Sequence, residues 1–309
     1  MNVIPIVFAF DKNMEMPAGV CMTSLLENAD SETFYDIFVL HHPDCDFSTS
    51  MLNKLPKMYG NCKLAFRKVG NEFVGAYQIR GITEAAYYRL IAPELIPEYG
   101  KFLYSDVDVI FREDLGKYYI IDLKDNFFGA VETCAALSPD EQKFMTDVLG
   151  YDYRDGYYYD GNLVVNATRL LDEGKMQEFR ELGKNKYNQQ EMMVINLACK
   201  GRIAPMTPAY CLTTTLYSLI VNRRKEMEEL FGVQEIEHAL KSGIVHYNGA
   251  KPWNQPCPNM DVWWYYYRKS VFYDEKFTHD FWIGQRDSLI RMPLLKRIKQ
   301  LLRYPLDRK

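Results

Sequence analysis

Several features that would point elsewhere are missing from this chain. Its seven cysteines include no C-x-x-C pair and no zinc-type spacing. Neither a cysteine zinc module nor a disulfide framework is expected, and reduced thiols suit a cytosolic protein. No apolar run approaches the ~20 residues needed to cross a bilayer. The first such run, Val3 to Phe10, has no basic leader and is too short for a secretory signal, so it reads as a buried strand. There is no basic excess either: 37 Lys+Arg stand against 41 Asp+Glu, a formal net charge of -4. That argues against nucleic acid as the main partner, because a phosphate-binding footprint is basic. The stretch closing the first run, FAFDKNMEMPAG, also lacks the G-x-G-x-x-G of a dinucleotide-binding turn.

What is present is ample for a large core: 309 residues, 48% hydrophobic and 25% charged. Apolar runs at Ile4–Phe10, Phe34–Leu40, Cys62–Val69 and Phe102–Tyr104 alternate with helical stretches at Met16–Asn28, Phe47–Met58 and Glu84–Ile91, the last ended near Pro93. Strands too apolar to be one-sided, separated by helices, predict an α/β fold with a mainly parallel central sheet covered on both faces. In such sheets ligands sit outside the carboxyl ends of the strands. Tyrosine, at 23 residues, outnumbers phenylalanine at 17, which fits either half-buried packing or flat surfaces offered to polar ligands such as sugars.

Two strand ends stand out. KFLYSDVDVIF, Lys101 to Phe111, runs an apolar strand into Asp106 and Asp108. On an extended segment these carboxylates would share one face, about 6 to 7 Å apart. A divalent cation would relieve their repulsion, while a solvated strand end is the plainer alternative. After the first strand, Asp11 and Asn13 are placed either to bond a base or ribose edge or simply to cap a turn.

Four stretches in order, IPIVFAFDKNM, ITEAAYYRLIAPELIPEYGKFLYSDVDVIF, YYYDGNLVVNATRL and IVHYNGAKPW, resemble the family 8 glycosyltransferases, the group of bacterial lipopolysaccharide galactosyl- and glucosyltransferases and glycogenin. The resemblance implies a GT-A fold and a retaining, Mn²⁺-dependent transfer of glucose or galactose from a UDP-sugar to a glycan or lipopolysaccharide-type acceptor. It makes Asp106, Asp108 and His246 the metal ligands, with Mg²⁺ less well suited than Mn²⁺. Asp11, Asn13, Arg89, Ser105, Asp106, Gly249 and Lys251 become donor contacts. Gln190, Asp160 and Glu191 fall at the reactive face of the sugar, although this chain departs from the family there. Tyr159 stands for the usual Asn, Asp160 is unusual, and Gln189, Gln190 and Glu191 replace Asp-Gln-Asp. Met14 replaces the Tyr that meets uracil. Gly161 carries over as the residue admitting close backbone approach. Asn162 and Glu132 are further candidates, for sugar hydroxyls and for the acceptor side.

The same reading divides the chain into a catalytic domain, 1–255, and an aromatic, basic C-terminal extension, 256–309, that forms a small helical appendage. Within the extension Pro293 to Tyr304, PLLKRIKQLLRY, has the pattern of an amphipathic basic helix. It is placed either on the body of the protein or on an anionic membrane, which would make a cytoplasmic protein peripheral at the inner face of the plasma membrane. Two rival functions are a UDP-sugar-binding protein that has lost turnover and a D-x-D phosphohydrolase. The second fits poorly, because its acid pair normally closes the first strand.

Overall fold

The computed structural model describes residues 2–79 and 83–303. Ile82 of the second motif and Tyr304, the expected end of the basic helix, lie outside them. Ten strands form among the described residues: β1 (Asn2–Ala9), β2 (Thr33–His41), β3 (Cys62–Lys68), β4 (Phe102–Ser105), β5 (Val109–Ile110), β6 (Phe128–Ala130), β7 (Asn162–Val165), β8 (Ile203–Pro205), β9 (Leu212–Thr213) and β10 (Val245–His246). Seven of them make one sheet in the order β3-β2-β1-β4-β7-β6-β8. All its pairings are parallel except those of β7, which runs against both β4 and β6. The expected mainly parallel sheet is therefore present.

The continuous apolar runs have a direct cause. On β1, Ile4, Ile6 and Phe8 pack into one core while Val7 and Ala9 pack into another, and β2 splits the same way, Tyr35, Ile37 and Val39 against Phe38 and Leu40. A strand covered on both faces has no polar side to show in its sequence.

Helices follow the expected positions with two differences of type. Glu84–Ile91 is a 3₁₀ helix, and Pro93 sits in the first turn of a short α-helix, Ala92–Leu95, instead of stopping one. A missing N–H costs nothing in a first turn, whose donors have no partner inside the helix. The helical part of Phe47–Met58 starts only at Met51, where the Ser50 hydroxyl caps the backbone N–H of Leu52.

Topology selects where a ligand can bind. The chain steps outward from β1 to β2 and β3, then returns to the other side of β1 with β4. The carboxyl ends of β1 and β4 thus flank a switch point, where helix connections diverge and leave a crevice. After β4 the chain crosses to a second, three-stranded sheet, β5-β10-β9.

The C-terminal segment is tied to this body. The helix Met260–Lys269 places Trp263, Trp264 and Tyr267 in a cluster with Val20, Ile110 and Val245. Asn28 donates to the Tyr266 hydroxyl at 2.7 Å, and Lys269 pairs with Glu27 at 2.6 Å. The helix Glu275–Arg291 adds Phe277, Phe281 and Trp282 around Trp264. Among the described residues no helix is long and apolar enough to cross a membrane.

Gly19 lies inside the helix Glu15–Glu27, where glycine is disfavoured. A Cβ there would stand 2.2 Å from the Phe272 ring. Gly19→Ala would gain about 1 kcal/mol of helix propensity and lose about 1–3 kcal/mol to overpacking. The expected result is a lower thermal midpoint, restored toward the native value when Phe272→Ala is added; a midpoint raised by Gly19→Ala alone would show that the ring moves aside freely.

Candidate active site

The acid pair does not sit on a strand. Asp106, Val107 and Asp108 form the three-residue crossing between β4 and β5. Their carboxylates converge because the crossing is pinned on both sides, not because of strand alternation. The Asp106 N–H donates to the Gly161 carbonyl at 2.8 Å, and the Asp108 carbonyl accepts from the Tyr247 N–H at 2.9 Å.

His246 reaches the pair from β10, which lies antiparallel to β5 with His246 opposite Val109. Its Nε2 is 3.3 Å from Asp108 Oδ1 and 3.7 Å from Asp106 Oδ2. One ligand atom from each of the three residues falls within 4.8 Å of the others. Glycine at 161 is a steric requirement here: a Cβ would stand 2.3 Å from His246 Cε1 and 3.1 Å from Asp106 Oδ2. Two carboxylates and one imidazole, cradled against bare backbone, fit a dication of the Mn²⁺ or Mg²⁺ type by donor chemistry.

A second node surrounds Arg89, whose side chain is 4% exposed. Its Nη2 lies 2.7 Å from Asp106 Oδ1 and 3.4 Å from Glu191 Oε1, and its Nη1 lies 3.0 Å from Asp160 Oδ2. Nη1 also donates to the Asp160 carbonyl at 2.7 Å, and Nε to the Ala86 carbonyl at 2.9 Å. The Tyr104 ring covers its face at 4.6 Å, and the Tyr104 hydroxyl donates to Asp106 at 3.2 Å. Sequence reading missed Tyr104, which had only a strand position to show.

Charge is unevenly shared. Burial pushes Asp106 up to about 6, assisted by Asp108 and opposed by Arg89. Burial would raise Asp108 too, but the Lys251 ammonium and the His246 imidazole outweigh it and hold that carboxyl well below its usual range. Burial likewise would lower His246, yet the Asp108 carboxylate raises it well above its ordinary value. Glu191 is raised to about 8, by burial first, with Arg89 opposing and Asp160 adding to the rise.

The remaining expected residues fall as follows. Lys251 donates to Asp108 and to the Tyr247 carbonyl, and the space beside Gly249 is open. Asp11 and Asn13 stand at the end of β1, where Asp11 caps the short turn Lys12–Met14 by accepting from the Asn13 N–H at 2.9 Å. Ser105, expected as a donor contact, is 1% exposed. Its hydroxyl is spent on Asn162 Oδ1 at 2.8 Å and the Asp106 carbonyl at 2.9 Å. Asn162 in turn donates to the Tyr210 carbonyl. Both therefore brace the acid crossing from inside the sheet, because β4 and β7 pair Ser105 with Asn162 in register. Asp160 is buried against Arg89, Gln190 is buried with its amide donating to the Tyr77 carbonyl at 2.8 Å, and Glu132 bridges to Tyr158 on the neighbouring strand edge.

Comparison with known proteins agrees with this arrangement. The family model for glycosyl transferase family 8 matches residues 5–257. General stress protein A of Bacillus subtilis (strain 168) is 23% identical over 86% of this chain and 93% of its own length. Probable galacturonosyltransferase 4 of Arabidopsis thaliana is 27% identical over 54% of this chain, a match that spans only 27% of that relative's length. The crystal structure of galactosyltransferase LgtC with donor and acceptor sugar analogs superposes with a TM-score of 0.74 at 23% identity, covering 89% of this chain and 99% of that one. This likeness shows a shared GT-A fold. With the acid crossing and the distant histidine brought together on that fold, the chain belongs to glycosyl transferase family 8.

Proposed function

We propose that this glycosyltransferase moves a neutral hexose, glucose or galactose, from a UDP-sugar to a saccharide acceptor with retention. Mn²⁺ would be held by Asp106, Asp108 and His246. The observation that carries the reading is the meeting of those three side chains, drawn from stretches far apart in the chain, within 4.8 Å. When bound, such a cation supplies positive charge beside the departing diphosphate.

The chain's own residues take the other roles. Lys251 adds a positive charge next to Asp108, and Gly249 leaves backbone open for phosphate oxygens. Asp11 and Asn13, across the switch point at the end of β1, are placed for the nucleoside. Asp160, Gln190 and Glu191 surround the sugar. Asp160 and Glu191 both face Arg89, so neither is a free nucleophile. Delivery of the acceptor on the face that UDP leaves is favoured over a covalent glycosyl intermediate. The relatives named as galacturonosyltransferases raise a hexuronate as a second donor class.

Residues 1–255 are proposed as the catalytic part and 256–309 as an extension that meets a membrane surface, where a lipid-linked or lipopolysaccharide-type acceptor would lie. Leu294, Leu295 and Ile298 are exposed on the final described helix beside Lys296, Arg297 and Lys299, a pairing of apolar and basic side chains suited to anionic lipid. A cytoplasmic protein peripheral at the inner face of the plasma membrane follows from this.

Asp108→Asn and His246→Ala are each expected to abolish Mn²⁺-dependent UDP binding in calorimetry and to lower transfer or donor hydrolysis by about 10²–10³-fold. Native-like binding in both variants would remove the metal site, and tight binding without turnover on any acceptor would leave a binding protein. Glu191 gives a pH signature. Its folded value of about 8 lies above the ordinary 4.5, so the folded state holds the extra proton between those values. Its stability contribution is complete below about 4.5 and is lost as pH rises through about 8. Glu191→Gln is expected to flatten the thermal midpoint across that window, and an unchanged slope would place the titration elsewhere. Replacing Leu294, Leu295 and Ile298 together by Ser is expected to abolish co-sedimentation with phosphatidylserine vesicles, each lost insertion being worth about 1.5–3 kcal/mol. Undiminished binding would refute the membrane contact.

A further inference from the structure

An imidazole that binds a cation through one nitrogen has a second nitrogen to satisfy. In His246, Nε2 faces the acid crossing, 3.3 Å from Asp108 Oδ1 and 3.7 Å from Asp106 Oδ2. Its Nδ1 lies 3.6 Å from the sulfur of Cys211, within reach of a hydrogen bond to sulfur. Cys211 is 0% exposed.

Backbone pairing builds this contact. β9 and β10 run parallel, with Leu212 opposite Val245 and Thr213 opposite His246. The Leu212 N–H donates to the Ile244 carbonyl and the Ile244 N–H to the Ala209 carbonyl, each at 2.7 Å. These two bonds bracket Cys211 and fix it against the strand that carries His246. From another side, Asn162 donates to the Tyr210 carbonyl at 2.8 Å. Thr213, the register partner of His246, is engaged elsewhere, its hydroxyl accepting from the Leu216 N–H at 3.0 Å. Gly161 offers no side chain, and a Cβ there would stand 2.6 Å from Nδ1. Among the described residues, the polar side-chain atom that meets Nδ1 is therefore the Cys211 sulfur.

Resting on the metal site proposed above, we infer that Cys211 is a positioning residue for His246: its sulfur accepts the Nδ1–H and leaves Nε2 bare toward the two acids. A neutral imidazole carries one N–H, and the hydrogen bond made by one nitrogen decides which of the two is free to bind a cation. In the other tautomer Nε2 would carry its proton toward the acids and have no lone pair to give. Thiol sulfur is a weak, uncharged acceptor, so the contact directs the ring without placing a third negative charge beside Asp106 and Asp108. Partners of this kind behind a ligating histidine are typically worth about 10–100-fold in metal affinity.

Electron paramagnetic resonance of free Mn²⁺, titrated with the full chain in the presence of UDP, tests this without turnover. Cys211→Val fills the place of the sulfur but offers no acceptor, and Cys211→Ala removes acceptor and bulk together. Each is expected to weaken Mn²⁺ binding by about tenfold or more. Cys211→Asn puts a carbonyl oxygen one bond further from the backbone, which shortens the 3.6 Å gap toward the ~2.9 Å of an N–H···O bond. It is expected to restore affinity to near the native value. A role in packing alone would give the reverse order, with Val close to native and Asn the weaker. Thermal midpoints identify a variant that has not folded; should one be lost in this way, the remaining variants decide. Native affinity in the Val and Ala variants, or the reverse order, overturns the inference and leaves the metal site standing. Failure of the native chain to bind Mn²⁺ with UDP removes the metal site itself, and the inference with it.

Discussion

The site is organised around one guanidinium that faces more carboxylate than it can neutralise. Arg89 gathers Asp106, Asp160 and Glu191 from the crossing after β4, the loop before β7 and the first turn of the helix Gln190–Ala198. Removing one partner from a buried ion pair typically costs about 3–5 kcal/mol, so this contact fixes the relative positions of segments that are remote in sequence. The excess negative charge is then redistributed by environment. Glu191 moves up to about 8 and Asp106 up to about 6, while Asp108, beside Lys251 and His246, stays ionised.

That arrangement is possible because the backbone brings two sheets to one point. β4 ends beside β1 at the switch in strand order, and the chain leaves at once for β5, whose neighbour β10 carries His246. The crossing has only three residues in which to do this. It is held by the Gly161 carbonyl on one side and the Tyr247 N–H on the other. Gly161 serves twice, since its carbonyl receives Asp106 and its missing Cβ makes room for the imidazole. Ser105 and Asn162 lock the registers of β4 and β7 just beneath.

Much of this could be read in the residues alone. β1 to β4 were legible because double-sided burial leaves unbroken apolar runs, and His246 was legible through the motif around it. The form of the crossing was not. An i, i+2 acid pair suggests strand alternation, and nothing local reveals that the strand stops at Ser105 because the chain changes sheets. Ser105 and Asn162 carry polar atoms that sequence reading assigned to a ligand, whereas cross-strand pairing directs them at each other. Tyr104 had no chemical signature apart from its place in β4. The 3₁₀ geometry of Glu84–Ile91 escaped for a related reason: its residues are ordinary helix formers and carry no local mark of the tighter winding.

The unsatisfied groups explain each other when stability and function are weighed together. A fold optimised only for stability would not bury unpartnered oxygens on both Gln190 and Glu191, nor hold Gln190 at a φ of 44°. Such positions cost about 1–3 kcal/mol each and persist only where surrounding structure enforces them. Here the surrounding structure includes the Tyr77 carbonyl that holds the Gln190 amide and the Arg89 guanidinium that faces Glu191 Oε1. A substitution that relieves such a group is therefore expected to stabilise the fold, and where the group belongs to a functional site the recurrent cost of that gain is lost activity.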